Sequence, residues 1–538
     1  MLRIALLAVA LVTCAYTQPT SELRFAVHTD PKTFDPLLAT EEVSETIRYL
    51  TGGVLIRFNR HTQQPEPELA TSWKILDEGK RIDFVLRRNV NFSDGTPFSA
   101  ADVVATMRRV MAPELPSAVA DLFRSSGGDV TARASGPNEV SVFFSSPVTG
   151  MELLFDQLAI TSARPVPPET AVLGPFMLQE HKTGQCVLLK RNPHYWKTST
   201  DGEKLPYLTS VRLDVVENRE TELLRFRRGE LDLMDKLDPE AFERLNKDPH
   251  SGALNVGPSL DSELLWFNEN PNAPLPLYKK KWFQSRLFRQ AISAAANRDD
   301  IVRLVYRGYA LPASGFISPA NKFWFNSKLP PPTHDPQLAL KLLQEDGFRF
   351  DGHILRDRGG NAVEFSLITN AGSKTRTQMG MILQQDLAKI GIQLNLLPIE
   401  FQSLVEGITR TSRYEACLLG LTNFEIDPNT QMNVWLSSGT HHAWNPAQAK
   451  PATTWEAEID RLAHLQHNAT SVVARKRVFD RIQEVLSEEA PIIFLVHPDV
   501  LLAVSHSLRN VMPSPLSPHL YWNIEHLWLA APDEHRRN

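Results

Sequence analysis

The sequence predicts an α/β fold with a mainly parallel sheet, divided over two or three domains. Three observations predict it. Val211, Leu213 and Val215 alternate with polar residues as a strand does, Glu222 to Arg228 reads as a helix closed by Gly229, and ELDLM (230–234) returns as a strand. The pattern restarts with new helices and strands beyond residue 270. A chain of 538 residues also exceeds what one hydrophobic core fills.

Taken in order, residues 1–18 read as an export signal. Arg3 supplies a basic start, and Ile4 to Val12 form an apolar run too short to span a bilayer. Leu11-Val12-Thr13-Cys14 looks like a bacterial lipobox with Thr13 where Gly, Ala or Ser is usual. Lipidation at Cys14 and ordinary cleavage a few residues later are the two alternatives. Leu23, Phe25 and Val27 then make a half-buried strand ended by two Asp-Pro steps. In PEPELATSWKILDEGKRIDFVL, a buried cluster of Leu69, Ala70 and Trp73 precedes a strand bearing Ile82, Phe84 and Leu86. A tight turn at Ser93 to Pro97 leads to a helix opened by a Ser99/Asp102 capping box, with Val103, Met107 and Val110 on one face. EVSVFF (139–144) is a strand, followed by a helix around 149–158.

In the second half, Leu287, Ala291, Ala294 and Ala295 face one side of a helix, and Asp299 or Asp300 is expected to cap a shorter one ending at Gly308. Asp335 caps a helix with Pro336 in its first position and Gly347 as its stop. A helix carrying Met379, Ile382, Leu383, Leu387 and Ile390 stops at Gly391 before a strand with Ile392, Leu394 and Leu396. YEACLLGLT (414–422) reads as a central strand. A helix through Val478, Ile482, Val485 and Leu486 precedes PIIFLV (491–496).

Composition narrows the function classes. Acidic residues number 62 against 57 basic, a net charge of −5 with no long block of one sign, which disfavours nucleic-acid binding. Three cysteines make no disulfide framework, and Cys186 and Cys417 sit in apolar runs as buried small hydrophobes. GxSxG, HExxH and GxxxxGK[ST] are all absent, and His441-His442 reads as a polar loop. The expectation is a protein that is not an enzyme and carries no cofactor or metal.

PEPELATSW, FSDGTPFSAADVV, RNPHYW, FRQAISAAANRDDIV and DLAKIGIQL occur in one order across roughly residues 21–529. In that order they resemble the bacterial extracellular solute-binding proteins of family 5, the peptide/nickel type. The resemblance implies a two-lobed periplasmic-binding-protein fold of type II with a hinge. Lobe I would comprise 21–262 plus 497–538, including an extra subdomain at about 56–172. Lobe II would comprise 268–490, with hinge crossings at about 263–268 and 491–496. It also implies a periplasmic or lipid-anchored, monomeric protein that captures a peptide-like solute and passes it to an ABC permease. The alternatives are an oligosaccharide or metal-chelate binder, or a sensory protein without an importer; no helix-turn-helix precedes the fold.

In dipeptide and oligopeptide binders of this kind, the loop after the strand matching Leu418–Leu421 supplies an aspartate for the ligand's α-ammonium group. Aligning the acid-Pro step on Asp427-Pro428 puts Phe424 at that position, with Asn423 before it and Glu425 the nearest acid. An arginine–tyrosine pair that meets the ligand carboxylate falls near Asn370 and Gly372; Arg376 or Lys374 would substitute only along a different loop path. The expected ligand residues are therefore Asn423, Phe424, Glu425, Asn370, Trp435 and Trp444, the two tryptophans either stacking on a solute or packing in the core.

Overall fold

The computed structural model describes residues 21–530 apart from 249–250, 423–425, 468 and 470. Cys14 lies outside the described residues, as do Asn423, Phe424 and Glu425.

The long strand Ile492–Ser505 joins the two halves of the molecule. Its first residues pair antiparallel with Ser262–Phe267, Leu264 opposite Phe494 and Leu265 opposite Ile493. Its last residues pair with Ser251–Pro258, Ala253 opposite Ala503, and with Leu233–Met234. Among the described residues, twelve strands are linked in this way into one sheet. On one side lie Leu233–Met234, Glu22–Val27, Ser210–Val215, Cys186–Arg191 and Phe176–Lys182 in that order; on the other lie Ser262–Phe267, Ala416–Leu421, Glu364–Asn370 and Gln393–Ile399.

The sheet is mixed, which corrects the expectation of a mainly parallel one. Glu22–Val27 runs parallel to Ser210–Val215, and Glu364–Asn370 runs parallel to both of its neighbours. The two central strands are antiparallel because the chain leaves along Ser262–Phe267 and comes back along Ile492–Ser505. Cys186–Arg191 and Phe176–Lys182 form a hairpin, which is antiparallel by construction.

Helices cover both faces of the second half, so its strands are apolar on both sides. Leu265, Phe267, Phe365, Leu367 and Leu418 enter one core, and Leu264, Trp266, Ile368 and Cys417 enter the other, as strand alternation requires. The crossover between the parallel strands Glu364–Asn370 and Gln393–Ile399 is the helix Lys374–Lys389, closed at Gly391 with φ +75°. Asp335 caps the helix Pro336–Glu345 by accepting from the Leu338 N–H at 2.9 Å.

A separate antiparallel sheet of Ala70–Leu76, Arg81–Leu86, Glu139–Phe144 and Val130–Gly136 has its own core. Ile82, Phe84 and Leu86 meet Val103, Met107 and Val142 there, and Trp73 packs at the edge. The Asp102 carboxylate accepts from the Ser99 N–H at 2.9 Å at the start of the helix Ala100–Val110. Lys197 of the RNPHYWK stretch ties this unit to the chain end, reaching both Glu68 and Glu525 at 2.9 Å, while Arg87 lies 4.1 Å over the Trp196 ring. Leu508, Leu520, Tyr521, Ile524 and Leu527 pack with Leu23 and Phe25.

Local expectations needed adjustment in four places. The strand at 230–234 is reduced to Leu233–Met234. The helix at 222–228 begins earlier, at Arg219, because Asn218 caps it. Asn297, not Asp299 or Asp300, caps the turn Arg298–Asp300 by accepting from the Asp300 N–H at 3.1 Å. The helix around 149–158 is a 3-10 turn, Met151–Leu153, and a short helix, Leu154–Gln157. No helix of the described residues is long and apolar enough to cross a membrane.

Candidate ligand cleft between the lobes

Segments that follow strands of the second half converge with the strand Ile56–Phe58, the turn Met151–Leu153 and the returning chain end. Phe58, Leu260, Ala320 and Leu516 form a buried apolar cluster at this junction, with Leu153 and Ile426 packed against it. These residues come from six separate parts of the chain. Within the cluster a cavity of about 20 Å³, the room of about one water, is bounded by Phe58, Leu153, Ile426 and Leu516. Its polar wall is Arg60, Asp156, Gln157 and Ser517.

Asp156 is buried and accepts from the Phe58 N–H at 3.1 Å, from Arg60 Nη2 at 2.9 Å and from Arg57 Nη1 at 3.5 Å. Burial acts to raise its carboxyl pKa, but the two guanidinium groups and the amide outweigh burial and hold it below the usual value. The junction is closed by polar contacts as well. Gln63 Nε2 donates to the Ala320 carbonyl at 2.6 Å, and its Oε1 accepts from the Lys322 N–H at 3.1 Å.

Asn370 ends its strand with its side chain committed, its Oδ1 accepting from Arg376 Nη1 at 3.0 Å. Arg376 does not stand in as a free anion anchor. Its Nε and Nη2 meet the two Glu263 oxygens at 2.8 and 3.2 Å, and Gly420 makes the room: a Cβ there would stand 2.3 Å from Arg376 Nη2. Burial pushes the Glu263 carboxyl pKa up against the pull of Arg376. Lys374 is exposed and faces Glu240 at 3.4 Å.

Trp435 and Trp444 are each 1% exposed and belong to the core of the second half. Trp435 packs 4.1 Å from the Phe316 ring, and Trp444 donates its indole N–H to Glu456 at 3.2 Å. Neither ring faces solvent: Trp444 belongs to the loop at 437–448, which Glu456 pins, and its ring lies 6.4 Å from that of Trp435 in the same core. That carboxylate accepts from Gln448 Nε2, from the Ala452 and Thr453 N–H groups and from the Thr453 hydroxyl. Burial opposes its ionisation, but these donors hold its pKa at about 2. His442 is fully buried, 3.2 Å from Glu456 and 3.0 Å from the Val434 carbonyl, so the His441-His442 step is not simply a polar loop.

The long strand Ile492–Ser505 carries a histidine. His497 Nδ1 lies 2.9 Å from the Asp261 carbonyl and 3.1 Å from Ser262 Oγ, and burial lowers its pKa to about 4. Cys186 and Cys417 are buried free thiols, and burial pushes the Cys417 pKa up. No cluster of His, Cys, Asp and Glu suited to a metal ion is found among the described residues.

Residues 64–442 match the family profile "Bacterial extracellular solute-binding proteins, family 5 Middle", more than half of the chain. A Deinococcus radiodurans protein described as a probable ABC transporter-binding protein is 26% identical over 73% of this chain and 72% of its own length. The oligopeptide-binding protein AppA of Bacillus subtilis is 24% identical, covering 93% of this chain and 90% of that protein. The crystal structure of the ABC transporter substrate-binding protein CtaP from Listeria monocytogenes superposes with a TM-score of 0.79 at 22% identity, covering 95% of this chain and 99% of that one. With a two-lobed α/β architecture throughout, the chain belongs to the bacterial extracellular solute-binding proteins, family 5.

Proposed function

We propose that this protein is the substrate-binding component of an ABC importer, capturing a peptide-like solute between its lobes and delivering it to a membrane permease. The observation that carries the reading is the junction where Phe58, Leu153, Leu260 and Leu516 of the proposed lobe I pack against Ala320 and Ile426 of the proposed lobe II. Lobe I is read as 21–262 plus 497–538 and lobe II as 268–490. The crossings at 263–268 and 491–496 are read as the hinge, two strands that pair with each other. Asn423, Phe424 and Glu425, next to Ile426, are proposed to meet the solute. Export through the leader, with lipidation at Cys14, fits this role. A relative described as an oligopeptide-binding protein supports the ligand class.

A second ligand reading, an uncharged solute such as an oligosaccharide, is favoured by one observation: Arg376 is spent on Glu263 and Asn370. Native mass spectrometry of the protein incubated with a tri- to hexapeptide pool and, separately, with an oligosaccharide pool distinguishes the two. Stoichiometric adducts at peptide masses are expected. Adducts from the oligosaccharide pool alone would replace the peptide reading.

A further inference from the structure

Arg475 is a cation almost without access to water, 1% exposed early in the helix Val472–Glu489. Its terminal nitrogens face the Asp427 carboxylate, Nη1 at 2.6 Å from Oδ2 and Nη2 beside Oδ1. Nε donates to Gln466 Oε1 at 2.7 Å, and the guanidinium lies 4.9 Å from the centre of the Trp324 ring. One contact leaves this lobe. Nη1 donates to the Thr149 carbonyl at 3.3 Å, beyond the smaller sheet's strand Glu139–Phe144, and the Thr149 hydroxyl donates back to the Ala469 carbonyl at 2.8 Å. Gly150 follows in the left-handed region, φ +76°, and a Cβ there would stand 3.4 Å from Asp427 Oδ2.

Asp427 is the neighbour of Ile426, which lines the interlobe cavity, and it fixes the turn at Pro428 by accepting from the Asn429 N–H at 2.9 Å. One short segment therefore borders the cavity and grips the buried cation. We propose that Arg475 is a closure latch: a positioning residue outside the cavity that sets ligand affinity by fastening the smaller sheet to lobe II when Ile426–Asp427 is seated. The proposal rests on the lobe-closure reading above. A buried guanidinium needs its counterion and its acceptors together. Seating Asp427 holds Nη1 where the Thr149 carbonyl can be reached, and closing onto Thr149 restrains the Asp427–Arg475 pair. Each event favours the other, which is a coupling between ligand segment and closure.

The test measures the distance between spin labels at Lys74→Cys and Lys341→Cys by pulsed electron paramagnetic resonance in the protein carrying Cys14→Ser, with Cys186 and Cys417 buried and unlabelled. Wild type, Arg475→Lys and Thr149→Val are titrated with a tri- to hexapeptide pool. The concentration for half closure is expected to rise at least tenfold in Arg475→Lys and at least threefold in Thr149→Val. Dissociation should be faster and association within twofold of wild type. Should Arg475→Lys fail to fold, Thr149→Val decides, its melting temperature showing an intact fold. A pool that closes none of the proteins defeats the peptide reading and not the latch. The comparison is then made on the closed fraction of the ligand-free proteins, expected to fall at least fivefold in the variants. Equal half-closure concentrations, or equal closed fractions at any level, overturn the latch.

Discussion

Glu263, on the strand Ser262–Phe267, and Arg376, in the helix Lys374–Lys389, form a forked ion pair, 2.8 and 3.2 Å. The pair consumes the arginine that the sequence offers to a ligand carboxylate, and it makes the central strand Ser262–Phe267 sensitive to the loss of either partner.

Arg376→Ala is expected to destabilise the fold by about 3 kcal/mol at pH 8, since it leaves a buried acid without its counterion. Glu263→Gln should cost less, about 1–2 kcal/mol: burial already raises the Glu263 pKa, and the amide oxygen keeps one Arg376 contact while the N–H₂ loses the other. In Arg376→Ala the folded state holds the Glu263 proton more tightly than the unfolded chain, so acidification should recover part of the loss. Urea denaturation at pH 8 and pH 5 checks both; equal costs for the two variants would remove the pair from this role.

How much of this was legible in advance depended on distance along the chain. The Ser99/Asp102 cap, the Asp335 cap and the Gly391 stop are local hydrogen-bonding problems, solved within a few residues, and the structure has them. The cleft was not legible in the same way. Phe58, Asp156, Ile426 and Leu516 carry no shared motif and lie far apart in the chain, so their meeting is a product of tertiary structure. Trp435 and Trp444 advertise bulk that must be buried, but bulk does not say whether a solute or Phe316 and Glu456 covers it. Gly420 was the available signal for Arg376: a glycine within a central strand marks a close approach.

His497 should make the long strand Ile492–Ser505 acid-sensitive. Its folded pKa of about 4 lies below the unfolded value near 6.5, so the unfolded state binds the extra proton between them. The stability this neutral histidine contributes is complete above about pH 6.5 and is lost as pH falls towards 4, by up to about 3 kcal/mol. His497→Gln is expected to flatten the stability profile between pH 6.5 and 4; a profile as steep as wild type would contradict the assignment.

Glu456 should behave differently in acid. Its depressed pKa of about 2 gives stability that is present above pH 4.5 and lost as pH falls through 2. Glu456→Gln places an amide N–H₂ among groups that already donate, and a loss of about 2–3 kcal/mol is expected. Trp444 fluorescence should redden as the loop at 437–448 loosens. An unchanged emission maximum together with unchanged stability would count against the carboxylate as the organiser of that loop.

At the proposed ligand loop, Phe424→Ala and Glu425→Gln separate two modes of capture. If Glu425 receives a peptide α-ammonium group, Glu425→Gln should weaken peptide binding by about 2 kcal/mol or more, and N-acetylating the peptide should then cost little further. If Phe424 faces the ligand, as the alignment on Asp427-Pro428 places it, Phe424→Ala is the damaging change and Glu425→Gln is nearly silent. The second pattern is expected in calorimetric titrations with the peptide pool.

Capture by closure of two lobes is the central claim, and small-angle X-ray scattering tests it most directly. Saturating the protein with a peptide whose binding native mass spectrometry has verified is expected to reduce the radius of gyration beyond experimental error, as the lobes rotate about the two crossings at 263–268 and 491–496. A verified, saturating ligand that leaves the radius of gyration unchanged would contradict it.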